Sequence, residues 1–83
     1  MRAVAGVGAG APRVAYAVGR AVGGAVARNR ARRRLRAAVG VHADALQRGA
    51  AYLVAAGREA VTMPFCELAR HVGEAVRAQE LRR

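Results

Sequence analysis

The chain has 83 residues, a net charge of +10 and a hydrophobic share of 54%. A domain of this size buries only about 60% of the surface its unfolded chain exposes, so the core must be thin and its stability modest or shared with a partner. The lone cysteine, Cys66, can form no internal disulfide and fits a reducing compartment, read here as the cytoplasm, while no apolar run is long enough to span a membrane.

The first twelve residues, MRAVAGVGAGAP, form a glycine and alanine tract without a period, expected to be loose, ahead of a single domain over residues 13–83. Its apolar stretch is too weak for a secretory signal. Arg13 to Val18 then alternates Val14, Tyr16 and Val18 against alanines, which predicts a short strand with one buried face. Gly19, Gly23 and Gly24 supply a turn.

From about Gly24 the period becomes helical. Ala27, Ala31, Leu35, Ala38 and Val39 share an arc of about 120 degrees, a core-facing stripe, and Gly40 stands where a C-terminal cap is expected. Asn29, Arg32, Arg33 and Arg36 fall on the opposite side. After a connector with room for a helical turn, Ala50 to Ala56 is a continuous apolar run, predicted as a strand buried on both faces. Gly57, Arg58 and Glu59 form a turn. A last helix is expected from Thr62, as N-cap, with Pro64 in its first turn and a stripe of Phe65, Leu68, Ala69, Val72, Ala75 and Val76; the closing ELRR reads as a frayed tail.

Charge is distributed unevenly along these elements. All 15 basic residues are arginines, as a GC-rich genome favours, yet codon usage does not explain their placement. The first 43 residues hold nine arginines and no acid, whereas Asp44, Glu59, Glu67, Glu74 and Glu80 all lie beyond them. Six of the nine residues from Arg28 to Arg36 are arginine. Like charges three and four apart on a helix repel, and cations in early turns oppose the helix dipole. Two local rules broken together mark a functional surface, and its sign selects a polyanion. The later arginines Arg58, Arg70 and Arg77 have acids nearby and read as surface pairs of little worth.

No catalytic constellation accompanies the cluster. His42 and His71 lack partners at ligand spacing and read as solvated or packing residues; Cys66 reads as a partly buried small side chain rather than a nucleophile.

The stretch RVAYAVGRAVGGAVARNRARRRLRAAV resembles the signature of the bacterial ribonuclease P protein subunit, a strand of the form RVGxxVSKKxGNAV followed by a helix of the form xRNRxKRxxRE. Val22, Gly23, Ala25, Val26, Arg28, Asn29, Arg30, Arg32, Arg33 and Arg36 match by identity or by arginine for lysine. Downstream, AYLVAAG resembles the family's DLVVIAR strand and PFCELARHV its SFxELxxxL helix, so the likeness spans about residues 13–77. Two positions depart: the family's paired basic residues become Arg20 and Ala21, and its asparagine before Ala-Val becomes Gly24.

The resemblance implies an α+β fold, a two-layer α/β sandwich in which a small sheet carries the arginine-rich helix within a strand-helix-strand unit and a C-terminal helix packs against it. It also implies a protein subunit that binds ribonuclease P RNA and precursor tRNA and assists removal of the 5′ leader. The RNA performs the chemistry with its own Mg2+, so the protein needs no cofactor, small-molecule ligand or membrane. Arg28, Asn29 and Arg30 match the family's RNA-contacting triplet; Arg20, Arg32, Arg33 and Arg36 extend the expected contact. Guanidinium forks suit phosphates and exposed bases. Family members begin with a helix and a strand that wall the leader cleft, and both are expected to be missing, as in an N-terminally truncated form. The competing readings are a general RNA-binding or ribosome-associated module without processing activity and a cationic membrane-active segment, the latter ill served by an alanine stripe.

Overall fold

The computed structural model describes residues 2–7, 13–46 and 50–80. They form a three-stranded sheet and three α-helices: β1 (Arg2–Val7), β2 (Arg13–Val18), α1 (Ala25–Val41), β3 (Ala50–Ala56), α2 (Glu59–Thr62) and α3 (Phe65–Glu80). Short 3-10 turns at Arg20–Val22 and Ala43–Ala45 flank α1. The class is α+β, as the resemblance implied.

The strand order is β1-β3-β2. β2 and β3 run parallel, Val14 opposite Tyr52 and Tyr16 opposite Val54, and α1 is the crossover that a parallel pair requires. β1 runs antiparallel to β3, with Val4 opposite Leu53. The expectation of a loose N-terminal tract, and of a missing strand ahead of the signature, is therefore corrected over residues 2–7; residues 8–12 lie outside the described residues. The local signal is weak because strand pairing is decided by a partner, and β3 offers a second edge whose backbone groups need one.

β2 alternates as its sequence predicts, with Arg13, Ala15 and Ala17 exposed and Val18 buried. β3 departs from the expected burial on both faces. Tyr52 and Val54 are buried, but Leu53 is 44% exposed. Among the described residues helices cover one face of this sheet, so even an unbroken apolar run is sorted by the pleat.

The core-facing stripe of α1 is as predicted: Ala31, Leu35, Ala38 and Val39 are buried beside Leu68, Val72 and Val76 of α3. Gly40 is not the cap. The helix runs through it to Val41, and the His42 N–H closes the last turn on the Val39 carbonyl at 2.9 Å. Packing decides this end: His42 Nε2 lies 2.7 Å from the Ala69 carbonyl oxygen, its ring lodged against Gly73. His42 is thus a packing residue.

Thr62 is not the N-cap of the last helix. It ends α2, and its hydroxyl donates back to the Arg58 carbonyl at 3.1 Å. Pro64 bars helical geometry at Met63, which is extended (φ −73, ψ 139), so α3 starts afresh with the Leu68 N–H bonded to the Pro64 carbonyl at 3.0 Å. Of the predicted stripe, Leu68, Ala69, Val72 and Val76 are buried and Ala75 is half-buried, whereas Phe65 is 41% exposed. It sits in the first turn, beside the arginines of α1. Arg34 ties α1 to the end of α2: its guanidinium donates to the Ala60 carbonyl at 2.9 Å and to the Met63 carbonyl. Arg70 pairs with Glu74 at 2.8 Å on an exposed face, the kind of contact that contributes little. The tail beyond Glu80 lies outside the described residues.

Candidate nucleic-acid interface

The start of α1 is set by glycine. Gly23 adopts φ +137, a region that side chains disfavour, and a Cβ there would stand 3.0 Å from that of Ala27. Gly24 is the N-cap, with no side-chain cap and no acid in the first turn, and its carbonyl accepts the Arg28 N–H at 2.9 Å. The positive end of a 17-residue helix is left bare, and Arg28 and Arg30 add two cations to it. Such an end attracts anions.

Two grooves flank the exposed side of α1. The first is an open groove of about 510 Å³ lined by Val26, Asn29, Arg32, Arg33 and Arg36. Within it Arg32 donates to the Asn29 side-chain oxygen at 3.3 Å, which orients the amide. Arg36 places its guanidinium carbon 5.8 Å from the centre of the Tyr16 ring, a cation–π contact between helix and sheet. Burial pushes the Tyr16 hydroxyl above its ordinary pKa, and the Arg36 charge offsets part of that rise. The second groove is lined by Arg30, Arg33, Arg34, Ala37 and Phe65. Arg33 forms the ridge between the two.

The structure thus brings Asn29, Arg32, Arg33 and Arg36 together, as their shared helical arc predicts, and sends Arg30 to the other flank. Arg28 is half-buried, and its Nε is enclosed without a hydrogen-bond partner among the described residues. Arg20 is exposed in the turn before α1 and lines neither groove. No α1 arginine pairs with a carboxylate among the described residues.

Four contributors escape the sequence reading. Arg34 carries the same charge as its neighbours yet is tied to backbone carbonyls; only its placement over the end of α2 distinguishes it. Tyr16 shows in sequence as a strand residue but not as the support for Arg36. Phe65 belongs to a good apolar stripe, and Val26, 84% exposed, matched the family's signature without a role. Helical spacing alone sets Val26 beside Asn29 and Arg33 on α1, whereas the neighbourhood of Phe65 to the arginines is legible only once α3 is docked.

A family model described as Ribonuclease P matches residues 3–80. The chain belongs to this family. The match begins within the tract that forms β1, ahead of the signature strand, and runs to the end of α3. Membership makes the chain a ribonuclease P protein component, whose partner is the RNA of a ribonucleoprotein that acts in tRNA processing. Comparison with curated proteins found no match, and comparison with solved structures found none. No helix among the described residues is long and apolar enough to cross a membrane.

Proposed function

We propose that this protein component binds both ribonuclease P RNA and precursor tRNA and assists removal of the 5′ leader, with the cleavage chemistry carried by the RNA and its Mg2+. The observation that carries the reading is the outward side of α1, where the arginines have no carboxylate partner among the described residues and the first turn of the helix carries no acid. Each unrelieved like-charge neighbour costs a few tenths of a kcal/mol, and a polyanion that neutralises the row offsets that cost. In this reading Arg28, Asn29 and Arg30 make the principal RNA contact. Arg32, Arg33 and Arg36 continue it along the first groove, and Arg20 reaches a further phosphate from the preceding turn. By offsetting phosphate charge, these arginines let the two RNAs approach each other at lower magnesium.

The test is cleavage of precursor tRNA by the cognate ribonuclease P RNA at low magnesium, without protein, with this chain, and with its Arg28/Asn29/Arg30 to alanine variant. Stimulation by the chain and its loss in the variant is the expected result. Equal affinity for unrelated RNA with no stimulation would replace the reading by a general RNA-binding module. With about six phosphates engaged, the affinity should fall with log salt at a slope of roughly 4 to 5.

A further inference from the structure

The second groove differs from the first in holding an aromatic ring. Phe65 is 41% exposed although it shares a stripe with Leu68, Val72 and Val76, each no more than 1% exposed. Its surroundings are Arg30, Arg33, Arg34 and Ala37. Arg34 is committed to the Ala60 and Met63 carbonyls and forms a fixed wall. Arg30 and Arg33 are exposed and make no hydrogen bond or ion pair among the described residues, so their donors face solvent. The groove is shallow and open to solvent, with a volume of about 370 Å³, so a base can lie against the ring without entering a closed pocket.

We propose that this groove is a second RNA subsite, in which one unpaired nucleobase stacks on Phe65 while Arg30 and Arg33 hold the flanking phosphates. The inference rests on reading the chain as an RNA-binding subunit and adds a preference for single-stranded RNA. A π-face accepts any base, so the subsite is indifferent to sequence and sensitive to duplex formation, in which stacking on neighbouring base pairs covers the face of the base. The ridge residue Arg33 serves both grooves, so a strand crossing it would lay backbone on Arg33 and place bases to either side. A carboxylate-rich peptide would satisfy the same arginines but leave the ring uncovered; the pairing of flat apolar face with cations selects a nucleotide.

The probe is a six-nucleotide oligoadenylate with 2-aminopurine at its centre, compared with the same oligomer carrying an abasic nucleotide there and with a short RNA duplex. The full chain, Phe65→Ala and Phe65→Trp are titrated, and thermal unfolding confirms that each variant folds. Phe65→Ala should weaken oligoadenylate binding by about tenfold, the low end of measured base-aromatic stacking, and Phe65→Trp should restore it. Neither should alter affinity for the duplex or the abasic oligomer, and the salt slope should stay unchanged. Unaltered oligoadenylate binding in Phe65→Ala, or an equal loss on the abasic oligomer, would overturn the proposal. So would displacement of the oligomer by oligoglutamate with the same dependence on Phe65. If the chain fails to stimulate tRNA cleavage while the Phe65-dependent difference persists, the processing role falls and the subsite stands.

Discussion

Replacing Gly73 by alanine sets two opposed effects against each other. Gly73 lies in the interior of α3, where alanine is favoured over glycine by roughly 1 kcal/mol. Its missing side chain, however, is the space that His42 occupies: a Cβ would stand 2.5 Å from His42 Cε1 and 2.6 Å from Nε2. Ordinary contact between such atoms is about 3.5–4.0 Å, so the ring must move by about an ångström. That ring is held 2.7 Å from the Ala69 carbonyl oxygen, and displacement breaks the contact. Overpacking of this kind costs about 1–3 kcal/mol, including the lost hydrogen bond, so Gly73→Ala should destabilise the chain by about 1 kcal/mol net. In a domain of this size that lowers Tm by about 4–8 °C. In a His42→Ala background the clash is gone, and the same substitution should stabilise by about 1 kcal/mol. The four proteins form a double-mutant cycle with a coupling of about 2 kcal/mol, read by thermal and urea unfolding followed by circular dichroism. An equal loss in both backgrounds, or a gain in the presence of His42, would refute the reasoning.

Other perturbations test separate contacts. Arg34→Ala removes two charge-assisted bonds to backbone carbonyls and should cost about 2–4 kcal/mol in urea unfolding; Arg34→Lys should recover less than half, because an ammonium cannot span both acceptors. Gly23→Ala forces a side chain into a glycine conformation and should cost about 1–3 kcal/mol in the same assay. The Gly57 N–H donates to Glu59 Oε1 at 3.1 Å and holds that carboxyl below the ordinary carboxylate range. Its folded pKa lies below its unfolded one, so its contribution is present above about pH 4.3 and is lost as pH falls through the lowered value; Glu59→Gln should flatten stability against pH across that window. Because the Arg36 charge pulls the Tyr16 pKa down against the effect of burial, Arg36→Ala should raise it further in an ultraviolet phenol titration, and a fall would contradict the stacked geometry.

Much of the interface was legible because it depends on helical spacing. Arginines at positions 32, 33 and 36 share a face with Asn29 wherever the helix is placed, and the buried stripe through Ala31, Leu35 and Ala38 fixes which side faces outward. The division into two grooves was not legible. Arg30 and Arg33 are as basic as Arg32, and only the docking of α3 beside α1 puts Phe65 next to them. Arg34 is the sharper case: by charge it belongs to the cluster, yet its position over the end of α2 turns it from a free cation into a tie between helices.

By itself, the sequence determined the elements that carry strong periodic signals, β2, α1 and the body of α3, together with the segregation of charge and the arginine face that results. Those properties are local, set by the repeat of side chains along one strand or helix. Tertiary structure decided the rest: that Arg2–Val7 pairs as a strand, that β3 shows one face to solvent, that α1 passes through Gly40, and that Phe65 joins the basic surface. Each of those depends on a surface supplied by another part of the chain, a free sheet edge, an uncovered sheet face, a slot at Gly73 or a neighbouring helix, and no local window of residues contains it.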